Sequence, residues 1–320
     1  MKGMVITMIA SPICDLLHIR YPVFQGGMAW ISDGKLAAAV SEAGGLGIIS
    51  AMNAEAGYLR EQIRIARSLT DRPFGVNIML MSPHADAVAQ TVIDEKVPVV
   101  TTGAGSPAKY LPAWKAAGII VVPVVASVAS AKMAERAGAD AVIAEGQESG
   151  GHIGELTTMA LVPQVCDAVQ IPVLAAGGIA DGRGMAAAFM LGACGVQMGT
   201  RFLVATECGV HQNYKDLVLK ATDVSTIVTG RRFGGNTCRG LKNPFSRNFV
   251  QVEYQPETTP EDVANLGVGA LRLAAVEGDV KNGSFLAGQI SGMVRKEQPA
   301  AEILAEICGQ CEALLGGNRS

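Results

Sequence analysis

Ile171-Pro172-Val173-Leu174-Ala175-Ala176-Gly177-Gly178-Ile179, an Ala-rich stretch over 184–191, and then Gly195-Val196-Gln197-Met198-Gly199-Thr200 form the passage from which the architecture can be read. Each apolar run is short, is apolar at consecutive rather than alternate positions, and stops in glycine. A strand that is apolar on both faces has to be covered on both faces, the condition of a parallel sheet wrapped by helices. Upstream the same unit recurs at intervals of roughly 25 residues. The runs are 22–25, 46–50, 74–79, 97–101, 119–125, 141–145, 172–176 and 195–199, with helical spacing over 35–42, 58–68, 85–94, 108–116, 129–136, 158–169 and 184–191. Eight strand–helix units in about 200 residues predict an α/β fold of the (β/α)8 TIM-barrel class rather than an open doubly wound sheet.

After Thr200 the rhythm breaks. A helix is expected over 213–221 and an irregular polar stretch over 222–279, with Gly230-Arg231-Arg232-Phe233-Gly234-Gly235, Pro244, Pro256 and Pro260. Two further helical stretches are expected over 283–294 and 299–315. The predicted organisation is a barrel from 1–221 and 280–320, with 222–279 inserted as a smaller cap or substrate-binding segment.

The 320 residues carry 26 basic and 29 acidic side chains, a net charge of −3, with no block of Lys or Arg, which excludes a phosphate-backbone binder. The longest apolar stretch, 119–131, is interrupted by Pro123, Ser127 and Ser130 and falls short of the ~20 residues that span a bilayer. Residues 4–10 imitate a signal peptide but lack a small-residue cleavage site, so a cytoplasmic, membrane-free protein is expected. Seven scattered cysteines do not make a disulfide framework, and Cys308-x-x-Cys311 has no second pair to complete a metal site, so no metal is expected.

In this fold chemistry gathers at the C-terminal ends of the strands. Those ends read Gln25-Gly26-Gly27-Met28, Asn77, Thr101-Thr102-Gly103, Glu145-Gly146, Gly177-Gly178 and Gln197-Met198-Gly199-Thr200. Glycines after strands seven and eight let backbone N–H groups reach a phosphate, and a following helix N-terminus adds positive potential. With the amides of Asn77 and Gln197 nearby, the pattern suits a cofactor with one phosphate and a hydrogen-bonding ring, such as FMN. Gly103-x-Gly105-x-x-Ala108 imitates a dinucleotide fingerprint, but no acidic ribose partner follows over 121–129. His152 lies between Gly150-Gly151 and Ile153-Gly154 in a loop after strand six that reads as flexible, at the barrel mouth, and is the candidate acid–base group. His18, His84 and His211 read as structural or surface residues. No nucleophile elbow, His-Glu-x-x-His or P-loop occurs.

Larger blocks carry a resemblance. They are Tyr21-Pro22-Val23-Phe24-Gln25-Gly26-Gly27-Met28-Ala29-Trp30, Ala43-Gly44-Gly45-Leu46-Gly47, Pro73-Phe74-Gly75-Val76-Asn77 and Thr101-Thr102-Gly103-Ala104-Gly105. Ala144-Glu145-Gly146, Glu148, Gly150-Gly151-His152-Ile153-Gly154, Ala175-Ala176-Gly177-Gly178-Ile179, Gln197, Gly199-Thr200-Arg201-Phe202 and Gly288-Gln289 extend them over nearly the whole chain. Together they resemble the flavoenzyme superfamily of nitronate monooxygenases (2-nitropropane dioxygenases). Within it they are most similar to the FMN-dependent enoyl-acyl-carrier-protein reductases of bacterial fatty-acid synthesis.

The resemblance implies an FMN site formed by Gly26, Gly27, Met28, Asn77, Glu145, Gly177, Gly178, Gln197, Gly199 and Thr200, with His152 beside the flavin as the catalytic residue. It implies NADH or NADPH as co-substrate, an enoyl group on acyl carrier protein as substrate, a homodimer and, as in some relatives, a monovalent cation. A nitronate monooxygenase or NADH:quinone reductase would use the same His152, and a flavin-binding barrel without turnover is the reading from another class. One departure stands out. Reductases of this type often carry a histidine in the cap loop, where this chain has Gly234-Gly235-Asn236-Thr237-Cys238, so no substrate contact is carried over from the cap.

Overall fold

The eight apolar runs become the staves of a closed parallel barrel. The computed structural model describes residues 10–51, 54–235 and 237–316. Its strands are β1 (Val23–Gln25), β2 (Leu46–Ser50), β3 (Gly75–Met79), β4 (Val99–Gly103), β5 (Ile120–Val125), β6 (Val142–Glu145), β7 (Gly151–His152), β8 (Val173–Ala176), β9 (Gly195–Met198), β10 (Thr226–Thr229) and β11 (Cys238–Leu241). The barrel runs β1-β2-β3-β4-β5-β6-β8-β9 and closes where β1 pairs parallel with β9, from Val23↔Val196 to Gln25↔Met198. The remaining three strands form a separate sheet in the order β10-β11-β7.

Both faces of each barrel strand are buried, as consecutive apolar positions require. Phe24, Leu46, Ile48, Val99, Val122, Ile143 and Leu174 pack inside with Ile13, Leu17 and Ile19, which follow from the short helix Pro12–Leu17 at the N-terminal end. The alternate residues, among them Val76, Val100, Val121, Val142, Val173 and Val196, face the helices. Each fully buried Val, Leu or Ile contributes roughly 1.5–3 kcal/mol.

Helices Gly34–Glu42, Ala56–Leu69, Ala85–Asp94, Leu111–Ala116, Val128–Ala137, Thr158–Ala168 and Gly182–Met190 cover the barrel. The final helix, Ala300–Gly316, packs on Gly182–Met190 and Gly34–Glu42 and so fills the remaining place in the outer ring. The contact is close. A Cβ on Gly182 would stand 2.5 Å from the Cys311 amide nitrogen and 2.6 Å from the Ile307 carbonyl oxygen. Cys308 and Cys311 are buried free thiols of this helix, and no metal-binding cluster occurs among the described residues. None of the described helices is long and apolar enough to cross a membrane.

Two expectations need correction. The stretch 222–279 is not irregular. It holds the β10–β11 hairpin, helices Pro244–Glu253, Pro260–Gly267 and Ala270–Arg272, and a π turn over Leu273–Glu277. Pro244 and Pro260, which read as breakers, stand at helix starts, where the missing N–H costs nothing, behind the capping boxes of Asn243 and Thr259, and Pro256 lies in the turn between the two helices. Conversely, 283–294 is not a helix beyond the 3₁₀ turn Gln289–Met293. Gly283, Gly288 and Gly292 lie against the backbones of Asp279, Glu148 and Thr222, and Leu241 donates its N–H to the Phe285 carbonyl at 2.7 Å, so the segment is spent on backbone contacts.

Two glycines test this packing. A Cβ on Gly47, in β2, would lie 1.9 Å from the Ala37 carbonyl oxygen, whereas one on Gly57, exposed in helix Ala56–Leu69, meets nothing within 4 Å. Gly47→Ala is expected to destabilise by at least about 3 kcal/mol, and Gly57→Ala to stabilise by about 0.4–1 kcal/mol. Denaturant midpoints of the two variants check this.

Candidate functional site

The barrel mouth collects the strand-end residues because all eight strands point the same way. Gln25 is fully buried, and its Nε2 donates to Ser32 Oγ at 2.8 Å while its Oε1 accepts from the Ile48 amide at 3.2 Å. Ser32 Oγ in turn accepts from the Met28 amide at 2.8 Å. Gln25 is therefore a post that holds the Gly26–Met28 turn. The turn lies close against its neighbours, and at Gly27 there is no room for a side chain. A Cβ on Gly27 would stand 2.4 Å from Asn77 Cβ, one on Gly26 would stand 3.2 Å from Gln197 Cδ, and one on Gly199 would stand 3.4 Å from Met28 Sδ. Gly26, Gly27, Met28, Asn77, Gln197 and Gly199 thus form one continuous surface.

Asn77 is oriented within it. Thr101 Oγ1 donates to Asn77 Oδ1 at 3.0 Å, which leaves the amide NH₂ as the donor on the Gly27 side. Thr200 Oγ1 accepts from the Gly288 amide at 2.9 Å, so its own O–H is left to donate. Across the mouth, Gly177 and Gly178 have φ of +86° and +72°, the left-handed region that favours glycine. A Cβ on Gly177 would stand 2.7 Å from the Gly146 carbonyl oxygen, which ties this turn to the end of β6. The helix that follows, Gly182–Met190, offers no open N-terminus, contrary to the expectation of added positive potential. Asp181 caps it, accepting from the Arg183 amide at 3.0 Å and the Gly184 amide at 3.4 Å. The groups this turn can offer an anion are therefore backbone amides.

Glu145 ends β6, opposite Ala176 of β8. Burial pushes its carboxyl up to about 7, against a smaller lowering by the Ser149 hydroxyl. It can hold or release a proton near neutrality.

His152 stands on a held segment rather than the flexible loop that its glycines suggest. Gln147 donates to the Leu156 carbonyl at 2.8 Å, Gln289 donates to the Glu148 carbonyl at 2.9 Å, and the Glu148 carboxylate accepts from the Thr158 amide at 2.9 Å and 3.0 Å. β7 then pairs antiparallel with β11, His152 opposite Cys238 and Gly151 opposite Arg239. Arg239 is buried; its Nε donates to the Gln147 carbonyl at 3.1 Å and its Nη1 to Thr226 Oγ1 at 3.3 Å. His152 is exposed and lines a cavity of about 410 Å³ with Ile153, Glu155, Arg231, Gly234, Gly235 and Thr237. Asn236 lies outside the described residues. Glu148, Thr158 and Arg239 went unread as site residues; Glu148 stood inside the quoted blocks, while Arg239 had no signal in its own surroundings.

The other histidines have local roles. His18 is the left-handed cap of helix Pro12–Leu17, His84 stands before helix Ala85–Asp94, and His211 Nδ1 accepts from the Asn213 amide at 3.1 Å. Gly103 and Gly105 lead into a 3₁₀ turn, Pro107–Lys109, rather than directly into an α-helix.

Known proteins share this arrangement. The family model for nitronate monooxygenase matches residues 10–91 and 85–310. A probable nitronate monooxygenase of Staphylococcus aureus (strain Newman) is 32% identical over 350 residues, covering 95% of this chain and 98% of that protein. FabK from Thermotoga maritima superposes with a TM-score of 0.93 at 51% identity, covering 96% of this chain and 98% of that one. The nitroalkane oxidase of Streptomyces ansochromogenes superposes with a TM-score of 0.85 at 32% identity, covering 96% and 99%. With the match running from the N-terminal plug to the final helix, the chain belongs to the nitronate monooxygenase family.

Proposed function

We propose that this protein is an FMN-dependent reductase that uses NADH or NADPH to saturate trans-2-enoyl thioesters carried by acyl carrier protein. The observation that carries the reading is the 51% identity to FabK, an enoyl-acyl-carrier-protein reductase II, over 96% of the chain, against 32% to the nitroalkane oxidase over the same share. A nitronate monooxygenase is the second reading, favoured by the names of the curated relatives.

The mouth suits FMN. Gly26 and Gly27, closed against Gln197 and Asn77, leave a floor on which a planar ring can lie, and the amides of Asn77 and Gln197 can meet its polar edge. Met28 packs beside Gly199. The backbone of Gly177, Gly178 and Gly199 and the free O–H of Thr200 would hold the phosphate. FMN held there would supply the hydride chemistry that links a nicotinamide to the β-carbon of an enoyl group.

The chain's own residues do the rest. Glu145, its carboxyl raised to about 7 by burial, can hold or release a proton at neutral pH at the end of β6. His152, fixed by the β7–β11 pairing, polarises the thioester carbonyl and delivers the proton to the α-carbon. In the nitronate reading the same imidazole acts as a base. Segment 222–279 forms the cap that shapes an acyl groove, with β11 as its link to β7.

The purified protein is expected to be yellow, to release FMN on denaturation, and to turn over crotonyl thioester faster with NAD(P)H than it oxidises a nitronate. Anaerobic mixing of the reduced protein with each substrate checks this; faster nitronate turnover reverses the assignment. His152→Ala should keep its FMN yet slow flavin oxidation by enoyl thioester by a factor on the order of 10²–10⁴. Partial rescue by His152→Gln would mark carbonyl binding as the main role, and a loss as deep as Ala would mark proton transfer.

Glu145 has a separate signature in the cofactor-free protein. From the ordinary 4.5 up to about 7, the unfolded chain has released this proton and the folded chain has not, so the folded state binds more protons. Its contribution to stability therefore falls as pH rises through that window, by up to about 1.4 kcal/mol per unit, and is level above it. Glu145→Gln should abolish the fall, read from denaturant midpoints below and above the window.

A further inference from the structure

Arg231 is placed with more care than its exposed position requires. Glu253, at the end of helix Pro244–Glu253, is 1% exposed, and its carboxylate takes the backbone on both sides of Arg231. Oε2 accepts from the Gly230 amide at 2.9 Å and Oε1 from the Arg232 amide at 2.7 Å. A buried carboxylate is expensive to leave unpaired, so this clamp is strongly favoured once the helix is in place. The next arginine is drawn away: Arg232 Nη1 donates to the carbonyls of Glu253 at 2.8 Å and Gln255 at 2.5 Å, and its guanidinium lies over Phe233. Arg231 is left to line the cavity that it shares with His152.

Two glycines, Gly234 and Gly235, stand in the same wall with Ile153, Glu155 and Thr237. Gly234 and Gly235 have φ of +71° and +78°, and a Cβ on either would meet nothing within 4 Å. Packing does not demand glycine at these two positions. The backbone conformation does, and the missing side chains leave this part of the wall open. One wall residue, Glu155, is acidic. An arginine whose flanking backbone is held, lining a cavity beside two glycines, is an arrangement for an anion of the phosphoryl type.

We infer that the cavity lined by His152, Arg231, Gly234, Gly235 and Thr237 is a phosphoryl subsite, with Arg231 as its contact and Glu253 as the residue that positions the backbone on either side of Arg231. This rests on the reading of the chain as a thioester reductase, for which two co-substrates carry such groups outside the reacting atoms. One is the diphosphate of the nicotinamide dinucleotide and the other is the phosphate of the pantetheine arm or of coenzyme A.

Arg231→Ala tests it, since the side chain is exposed and the fold does not depend on it. If the thioester's phosphate sits there, the ratio of kcat/KM for crotonyl-coenzyme A to that for crotonyl N-acetylcysteamine, which lacks phosphate, falls about tenfold. If the dinucleotide sits there, KM for NADH rises about tenfold while that ratio holds. Glu253→Gln should move the same quantity as Arg231→Ala, by less. In either case inhibition by inorganic pyrophosphate, measured on whichever reaction the wild type catalyses, weakens about tenfold in Arg231→Ala. That arm survives the failure of the thioester reading: a wild type that oxidises only nitronates but loses pyrophosphate inhibition with Arg231 keeps the subsite and discards the reductase. Unchanged ratio, NADH KM and pyrophosphate inhibition overturn the subsite, and so does loss of FMN from Arg231→Ala, which would place the flavin's own phosphate there.

Discussion

Pairing of β1 with β9 closes the sheet, and every feature of the mouth follows from that closure. It brings Gly26, Gly27 and Met28 against Gln197 and Gly199, residues from opposite ends of the barrel sequence. An open sheet would leave these as two unrelated turns. The closure also explains why glycine recurs where it does. The turn after β1 lies against β3 across the mouth, and at Gly27 a single Cβ would overlap Asn77. The floor is flat because there is no space in which it could be otherwise, and Gln25, buried and bonded to both β2 and the turn, keeps it there.

The cap is tied to the barrel by few but well-satisfied bonds. β7 is two residues long, yet it joins the loop after β6 to β11, and the Arg239 side chain bonds the Gln147 carbonyl from the same sheet. Gln289 and Gly288 press on that loop from the other side. His152 is therefore placed jointly by the barrel, the hairpin and the segment before the last helix. A base or acid so held needs little reorganisation to act, the condition under which a positioned imidazole is most effective.

The family relationship and the chemistry rest on different parts of the molecule. The glycine floor and the Gly177-Gly178 turn suit a flavin whatever the substrate, which is why one barrel serves relatives with different names. The other wall of the mouth comes from segment 222–279, where Arg231, Gly234, Gly235 and Thr237 line one cavity with His152, and under the proposed function substrate choice belongs to it. Differences between branches are expected in that wall and in the helix behind it that carries Glu253.

The barrel was legible residue by residue. Two-face burial writes itself into consecutive apolar positions, and the eight runs coincide with the eight barrel strands to within about two residues at each end, the usual spread of strand boundaries. The strand-end residues were legible as well, because a parallel barrel puts all C-terminal ends on one side. The cap was not. A two-residue strand has no periodicity, and its partner lies far along the chain, so the β7–β11 pairing exists only in three dimensions. The glycines over 283–294 read as helix because their spacing is silent about the backbones they touch. The raised pKa of Glu145 and the clamp of Glu253 around Arg231 are likewise consequences of burial, a property of neighbours. Local pattern determines which segments become strands and helices; only the closed fold determines which polar groups are removed from water and which distant residues meet at the mouth, because both depend on neighbours far along the chain.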